Sequence, residues 1–343
     1  MGKHRYAGAL ACVSAVVGAG FASGREIVTF FTRYGSWSWL LILLSTSTMS
    51  ALCLLTLRAT RRNAARGWHE LYRQRGRFSR AFSVGCRLAL FSLIAGAMLA
   101  ASASAVALLV PLNRAYEGGL ILSLLLAFWL AGRSVRCLSW FGGLLTALLL
   151  AAYLPLMAAA PPQSAVQAIP AIPAWRDALR APLNAVAYGS MNMAVALGVV
   201  CECVGKSRRE LCRMSVLFGF LLTCLLFVAN ALYLRAPASL QEELPLIALL
   251  RGFGRAGYLL GLCVFEVSVF TTLLAAMRGL RGMLAARLPG VFARDAALLS
   301  IPFLVSLLGF RALVETFYAP LGILCLAAVF APLAFRRKIC TDK

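Results

Sequence analysis

The chain has 343 residues, of which 61% are hydrophobic and only 13% are charged, and its mean hydropathy is +0.83. Soluble globular domains are roughly half apolar and a quarter charged, so this composition excludes an ordinary soluble domain and indicates a protein with many membrane spans. The net charge of +22 does not indicate nucleic-acid binding, because the basic residues are distributed between apolar segments. Anionic lipid headgroups are the partners that such a distribution favours.

Ten segments are apolar over enough length to be membrane spans, because about 20 apolar residues cross roughly 30 Å of hydrocarbon. In chain order these segments are 7–32, 37–57, 87–110, 118–132, 137–158, 183–204, 214–234, 256–277, 296–310 and 313–334. We therefore predict an all-α polytopic membrane protein with about ten transmembrane helices, organised as one membrane domain over residues 1–343.

The connections between the spans differ in charge. Basic residues concentrate in the loop 58–86 and in the connections that would share its side of the membrane, whereas 159–182 and 235–255 would be outer loops. The positive-inside rule then places both termini in the cytoplasm. Within the basic loop, Trp68–Tyr72 is either a short helix at the membrane surface or part of a solvated linker. In the second outer loop, Ser239 is predicted to begin a short helix.

The sequence contains no pattern that indicates an enzyme active site or a metal cofactor. Its eleven cysteines have no metal-ligand spacing and are interpreted as small apolar residues. The only two histidines, His4 and His69, lie outside the predicted spans, and no hydrolase or metalloprotease motif is present. We therefore expect no enzyme activity and no cofactor, apart from Na⁺ or H⁺ as a coupling ion.

A division after the fifth span gives two sets of five, 7–158 and 183–334. Because the number is odd, the second set enters the membrane from the opposite side, and two related halves would form an inverted repeat. The first span of each half contains residues that would interrupt a helix, at 18–24 and at 188–192. Interrupted spans at matched positions are typical of transporter binding sites.

The glycine-rich segment 18–24 lies near the midplane of the first span. Unwinding there would free backbone polar groups that cannot face lipid, so they would line a polar cavity. The restarted helix would offer N–H groups to a carboxylate, and the carbonyls near Val17 would suit a cation. The alternative is that two of the glycines form a small-residue face for helix packing, which leaves Arg25 and Glu26 unexplained.

Hydroxyl groups share one face of the eighth span at the spacing i, i+3 and i+4. They belong to Ser268, Thr271 and Thr272. Their oxygens would ligate a small hard cation such as Na⁺, or they would bond back to carbonyls of their own helix. Glu266 lies near the midplane of the same span, where an ionisable group costs at least about 2.5 kcal/mol and is a functional candidate. Glu266 would either carry a proton or pair with Arg25. Glu315 is the other possible partner of Arg25.

These features together resemble a known architecture. Ten spans, a first span broken at Gly18-Ala19-Gly20 and a hydroxyl-bearing eighth span are similar to the LeuT-type five-plus-five inverted repeat of the amino acid–polyamine–cation transporters. Within that superfamily, Gly18–Ile27 resembles the signature of a bacterial group of poorly characterised membrane proteins distantly related to neurotransmitter:sodium symporters. The resemblance implies a multi-pass protein of the bacterial cytoplasmic (inner) membrane.

The resemblance also implies roles for individual residues. The substrate would be held by the two interrupted spans, through Gly18, Ala19, Gly20, Phe21, Ala22, Ser23, Gly24, Tyr188, Gly189, Ser190 and Asn192. A sodium ion would be bound by the carbonyls of Ser14 and Val17 and the side chains of Ser268, Thr271 and Thr272. Gating and coupling would involve Arg25, Glu26, Glu266 and Glu315, with Arg25 and Glu315 resembling an outer gate.

The expected function is cation-coupled symport of an amino acid or similar small carboxylate by alternating access. Na⁺ is favoured as the coupling ion because the fifth span, 137–158, has no lysine that would replace it, while Glu266 keeps H⁺ open. The alternative is a sensor that retains the transporter fold and binds a ligand without moving it. The expected partners are a small-molecule substrate and anionic lipid, and nothing in the sequence sets an oligomeric state.

Overall fold

A computed structural model describes residues 3–65, 67–73, 76–110, 112–132, 175–205 and 207–334. Within these ranges the regular elements are all helices. In chain order they are α1 (Lys3–Val16), α2 (Ala19–Ser23), α3 (Arg25–Phe30), α4 (Ser38–Arg62), α5 (Trp68–Arg73), α6 (Arg77–Leu109), α7 (Ala115–Ala131), α8 (Trp175–Glu202), α9 (Arg208–Arg235), α10 (Pro245–Leu250), α11 (Gly254–Ala285), α12 (Val291–Ser306) and α13 (Phe310–Ala334).

Most of the predicted spans correspond to one of these helices. Among the described residues, α4, α6, α8, α9, α11 and α13 are long and apolar enough to cross a membrane, and α7 is apolar but shorter. The first span is divided among α1, α2 and α3, and the ninth corresponds to α12. The fifth span, 137–158, and most of the outer loop 159–182 lie outside the described residues. The prediction of an all-α polytopic membrane protein is confirmed, while the division into repeats at 7–158 and 183–334 stays a prediction.

The helices pack as two groups, and the first span contacts both. In one group α4 packs against α8 and α9, and α1 contacts both of these; in the other, α6 packs against α7, α11 and α12. α13 lies close along α8, because Gly322 has no Cβ that would overlap the backbone of Ala187. α2 contacts α11 of the second group. The interrupted first span therefore contacts both groups, as does α13.

The loop predicted at 58–86 is largely helical. α4 extends into it, α5 lies inside it and α6 begins before its end. Long-range contacts hold α5: the Tyr72 hydroxyl donates to the Val329 carbonyl at 2.6 Å, and the Arg87 guanidinium lies 3.6 Å from the centroid of the Trp68 ring. α5 is thus attached to α13 through Tyr72. This contact disagrees with the interpretation of Trp68–Tyr72 as part of a solvated linker.

The helix predicted to start at Ser239 in the outer loop 235–255 begins later. Ser239 lies in a 3₁₀ turn, Pro237–Gln241, and its hydroxyl donates to the Ala236 carbonyl at 2.7 Å instead of capping a helix. α10 begins at Pro245, whose fixed φ suits the first position of a helix.

The interruption predicted in the sixth span is wrong, because α8 is continuous from Trp175 to Glu202. Its polar side chains are satisfied within the helix: the Ser190 hydroxyl donates to the Val186 carbonyl at 2.8 Å, and the Asn192 amide donates to the Tyr188 carbonyl at 3.0 Å. Gly189 serves close packing, since a Cβ there would lie 2.9 Å from the Ser45 carbonyl oxygen of α4. These residues allow helix contact and do not unwind the backbone.

Candidate functional site

The first span is interrupted where its glycines predict. α1 ends at Val16, and the chain leaves helical geometry at Gly18, which has φ −127° and ψ −151°. The Gly18 carbonyl accepts hydrogen bonds from the N–H groups of Phe21 and Ala22 at 3.1 and 3.2 Å, and these bonds restart the helix as α2. A second change of direction follows at Gly24, whose φ of 78° lies in the left-handed region that favours glycine.

Each of the three glycines in this segment makes room for a side-chain oxygen. A Cβ would collide with Thr272 Oγ1 at Gly18, with the Glu26 carboxylate at Gly20 and with the Tyr233 hydroxyl at Gly24. A helix-packing face would instead place the backbone of a neighbouring helix against the glycines, as α8 lies against Gly322. The oxygens therefore favour a polar site over the small-residue packing face that the sequence left as an alternative.

Glu26, in the first turn of α3, directs its carboxylate toward the interruption. After the left-handed turn at Gly24 its side chain lies against Gly20, and it is only 6% exposed. The side chains of Tyr188 and of Tyr318 on α13 lie close enough to interact with the carboxylate. Within the described ranges, no lysine, arginine or histidine forms an ion pair with Glu26. The buried acidic group of Glu26 therefore has no basic side chain paired with it in the described part of the chain.

Tyr188 is the residue predicted on α8 that contacts Glu26. Two aromatic rings fix its orientation: the centroids of Phe30 and Phe31 lie 5.0 and 5.2 Å from that of Tyr188. The other predicted residues of α8 have the contacts already described, toward α4 for Gly189 and within α8 for Ser190 and Asn192.

The hydroxyls predicted to bind a cation lie on α11 beside the interruption. Thr271 and Thr272 both donate to the Ser268 carbonyl, at 2.9 and 3.0 Å, so their back-bonding to the helix is observed. The Ser268 hydroxyl is fully buried and has no hydrogen-bond partner in the described part of the chain. In α1, the Ser14 hydroxyl donates to the carbonyl of Ala11, one turn earlier, at 3.0 Å.

Arg25 joins the first span to α13 and to the connection between α9 and α10. Its side chain is 3% exposed and forms an ion pair with Glu315 of α13. Its Nη1 also donates to the carbonyls of Leu240 and Glu242, between α9 and α10, at 2.8 and 3.2 Å. Glu315 lies in a π-helical turn, a feature often found at functional sites. The structure thus brings Arg25 to Glu315, one of the two partners proposed from the sequence.

Glu266 lies in a different environment. Its carboxylate accepts a hydrogen bond from Ser102 of α6, whose hydroxyl is 2.7 Å from that of Ser123 on α7. The second carboxylate oxygen is buried without a partner among the described residues. The sequence left open an ion pair between Glu266 and Arg25. The structure instead pairs Arg25 with Glu315 and bonds Glu266 to Ser102.

Sequence reasoning did not select several residues that contact these groups. They are Ser102, Ser123, Tyr233, Tyr318 and the carbonyls of Leu240 and Glu242. The signal available for the side chains was a hydroxyl within an apolar span. Such hydroxyls are common in membrane helices, where they bond to backbone, so the signal alone does not separate a site from a structural contact.

Comparison with known proteins identifies the fold. No family model matches the chain. The chain is 24% identical over 334 residues to the uncharacterized membrane protein YkvI of Bacillus subtilis (strain 168), covering 93% of this chain and 92% of YkvI.

Solved structures are similar over nearly the whole chain. The inward-facing conformation of Mhp1 matches with a TM-score of 0.62 and 14% identity, covering 94% of this chain and 73% of Mhp1. MhsT in complex with L-phenylalanine matches with a TM-score of 0.59 and 15% identity, covering 95% and 86%. A mutant of the Eremococcus coleocola manganese transporter matches with a TM-score of 0.55 and 16% identity, covering 95% and 77%. These are LeuT-fold proteins, and the chain has the LeuT fold.

Proposed function

We propose that the protein is a secondary active transporter of the bacterial cytoplasmic membrane, which moves an amino acid or similar small carboxylate by alternating access and is coupled to a cation. The observation that carries this proposal is the interruption at Gly18 in the centre of a LeuT fold, where each glycine faces a polar oxygen. Exposed backbone inside a membrane protein is tolerated only where it lines a cavity or contacts a ligand. An interruption of this kind has no structural use in a helix that merely spans the bilayer.

The carboxylate of the substrate would be bound by backbone N–H groups at the start of α2. The N–H groups of Phe21, Ala22 and Gly24 are already bonded to carbonyls within the segment. The first N–H groups of a helix have no helical acceptor, and the Gly18 N–H at the cap of α2 has no acceptor in the described part of the chain either, which leaves those of Gly18, Ala19 and Gly20. In this proposal these three N–H groups are the donors to the carboxylate, out of the predicted set 18–24.

Na⁺ is the coupling ion that the oxygen atoms favour. The buried Ser268 hydroxyl lacks a partner among the described residues, and a buried hydroxyl is ordinarily hydrogen-bonded or bound to an ion. Thr271 and Thr272 direct their protons to the Ser268 carbonyl, so the remaining lone pairs of the Thr271 oxygen can accept a cation. The carbonyls of Ser14 and Val17 at the end of α1 complete an all-oxygen set in this proposal.

H⁺ is the second candidate, and Glu266 is the group that would carry it. A carboxylic acid bonded to the Ser102 hydroxyl, which is itself paired with the Ser123 hydroxyl, could take and release a proton without an arginine or lysine partner. In this case Glu266→Gln should abolish proton-driven uptake. If Na⁺ is the coupling ion, the same variant should retain sodium-driven uptake, because Glu266 does not contact the hydroxyls of the sodium site.

The test is uptake by the purified protein in proteoliposomes. Each of the standard amino acids would be supplied in radiolabelled form under an inward Na⁺ gradient, an inward H⁺ gradient or no gradient. Accumulation above the external concentration, dependent on one gradient, is expected. Binding without accumulation under any gradient would contradict transport and support the sensor alternative.

A further inference from the structure

Two cysteines from helices far apart in sequence meet in the interface between α6 and α13. The Sγ atoms of Cys86 and Cys325 lie 3.5 Å apart, and both side chains are buried. A disulfide bond holds its sulfur atoms about 2.05 Å apart, so an approach of roughly 1.5 Å would join them. Two thiols in contact across an interface are therefore a pair that oxidation can link.

A buried arginine, Arg87, lies beside this pair and is 2% exposed. Within the ranges that the structure describes, it forms no ion pair with an acidic residue, and its Nε and Nη1 atoms have no hydrogen-bond acceptor. Its guanidinium stacks on the Trp68 ring and lies close enough to both thiols to interact electrostatically with them. Burial opposes ionisation of a thiol, but a neighbouring arginine favours the thiolate, which would supply the negative charge and the acceptor that these N–H groups lack.

The backbone of α13 is irregular immediately after Cys325. A π-helical turn, Leu326–Phe330, begins at the next residue. The hydroxyls of Ser83 on α6 and Tyr72 on α5 donate hydrogen bonds to two carbonyls of this turn. Such turns are frequently found at functional sites. Contacts from α5 and α6 therefore hold this part of α13, in addition to the hydrogen bonds of its own helix.

We propose that Cys86 and Cys325 form a redox-active dithiol, which a small hydroperoxide oxidises to a disulfide between α6 and α13. The thiolate of one cysteine, stabilised by Arg87, attacks a peroxide oxygen, so that the O–O bond breaks and a sulfenic acid forms. The hydroxide that leaves takes up the proton that the thiol released. The second thiol then attacks the sulfenic sulfur, the S–S bond forms and water leaves. With hydrogen peroxide, two thiols give one disulfide and two waters, so the two electrons lost by the sulfurs reduce the peroxide.

The position of the pair gives the disulfide a consequence for the proposed transport cycle. Cys86 ends the basic loop 58–86, which the positive-inside rule places in the cytoplasm, where disulfides are transient and redox-sensing. α6 belongs to one group of helices, and α13 also packs on α8 of the other, so a bond between α6 and α13 restrains the groups against each other. This consequence rests on the proposed function, whereas formation of the disulfide does not.

Disulfide mapping in the unsubstituted protein tests the proposal directly. The purified protein would be treated with hydrogen peroxide, its remaining thiols alkylated after unfolding, and its linked peptides identified by mass spectrometry with and without a thiol reductant. We expect a bond between Cys86 and Cys325 that forms before other cysteines are oxidised and that the reductant removes. Recovery of both cysteines without a bond between them, at a peroxide concentration that oxidises the exposed Cys224 and Cys263, overturns the proposal.

Variants of Arg87 test the contribution of its charge to the reaction. Arg87→Gln keeps hydrogen-bonding groups and removes the charge, so the rate of disulfide formation should fall by about tenfold or more. Arg87→Lys retains a positive charge and should recover much of the rate. The control Arg80→Gln replaces an exposed arginine about two turns earlier on α6 and should change the rate by less than about twofold. An unchanged rate in a folded Arg87→Gln protein overturns the role of Arg87, and if this variant does not fold, mapping of the unsubstituted protein still decides whether the disulfide forms.

Uptake measurements separate the disulfide from its consequence. Peroxide should lower amino acid uptake in proteoliposomes several-fold, and a thiol reductant should restore it, which it does not do for oxidised methionine. Cys86→Ser should be insensitive to peroxide, whereas Cys224→Ser/Cys263→Ser should respond as the unsubstituted protein does. If the disulfide forms and uptake is unchanged, the dithiol stands and the restraint on transport fails. If no amino acid accumulates under any gradient, the proposed function fails, and the peptide map still decides whether the disulfide forms.

Discussion

Gly20 is the residue at which the site is most sensitive to a small change in volume. A single methyl group on this residue would overlap the Glu26 carboxylate, so Gly20→Ala must displace that side chain. Overpacking of this kind costs typically about 1–3 kcal/mol, and here the displaced group is part of the proposed site. We expect amino acid affinity to fall by at least about tenfold while the protein remains folded. Gly198→Ala on α8, where a Cβ meets open space, is the matched control.

Unchanged uptake and affinity in the Gly20→Ala protein would count against a binding site at the interruption. A fall in both variants would point instead to a general intolerance of alanine at helical glycines. Thermal denaturation of each protein separates these outcomes from unfolding.

Ser268 allows the sodium site to be tested through its buried, unpartnered hydroxyl. If the hydroxyl ligates Na⁺, Ser268→Ala should raise the Na⁺ concentration for half-maximal uptake by about tenfold, as expected for losing one polar interaction. If it is only an unsatisfied group, its removal should stabilise the protein without changing the Na⁺ dependence. Ser92→Ala on α6, whose hydroxyl donates to the Leu88 carbonyl at 2.8 Å, is the control. The double variant Thr271→Ala/Thr272→Ala should weaken Na⁺ dependence further.

At the scale of the helices, glycines have two different roles. One in α13 allows close packing against α8, and those of the first span make room for polar side chains. Gly322 of α13 faces the backbone of Ala187 on α8, whereas the glycines of the first span face side-chain oxygens. Both patterns look alike in a list of glycines within apolar segments. The distinction depends on which neighbour lies opposite, and that neighbour is set by how the helices are arranged.

Gly322→Ala should therefore act on stability and not on ligand specificity. The added Cβ would collide with main-chain atoms that cannot move aside, so α13 must separate from α8. We expect a loss of about 1–3 kcal/mol, seen as a lower midpoint of thermal denaturation in detergent. Gly282→Ala on α11, where a Cβ meets nothing within 4 Å, should leave the midpoint unchanged or higher. Equal midpoints for the two variants would contradict the close packing of α13 on α8.

Across the whole molecule, Arg25 connects three parts that are far apart in sequence: the first span, the outer connection and α13. In an alternating-access cycle these contacts would have to break for the outer side to open. Arg25→Ala should then increase leakage of accumulated amino acid from proteoliposomes by several-fold, with a smaller effect on the denaturation midpoint. The measurement is the rate of efflux from preloaded vesicles.

Arg311→Ala is the matched control for this prediction. Arg311 also pairs with Glu315, at 3.1 Å, but its side chain is 48% exposed, and exposed ion pairs contribute little. Leakage that is equal in the two variants would mean that Glu315, and not Arg25, determines closure. A strongly destabilised Arg25→Ala protein with normal retention would identify the ion pair as structural.

The sequence by itself determined the features that depend on local composition. Runs of apolar residues require helices in a bilayer, because a helix satisfies its own backbone hydrogen bonds. The glycines at 18–24 interrupt one of these helices, because glycine adopts backbone conformations outside the helical region. Only the tertiary structure decided which groups lie opposite one another. It left α8 continuous where Gly189, Ser190 and Asn192 predicted an interruption, joined Arg25 to Glu315 and placed Glu26 beside Gly20 and Tyr188. Those outcomes depend on contacts between distant segments, and the same glycine or hydroxyl can serve packing or a ligand according to what the fold brings against it.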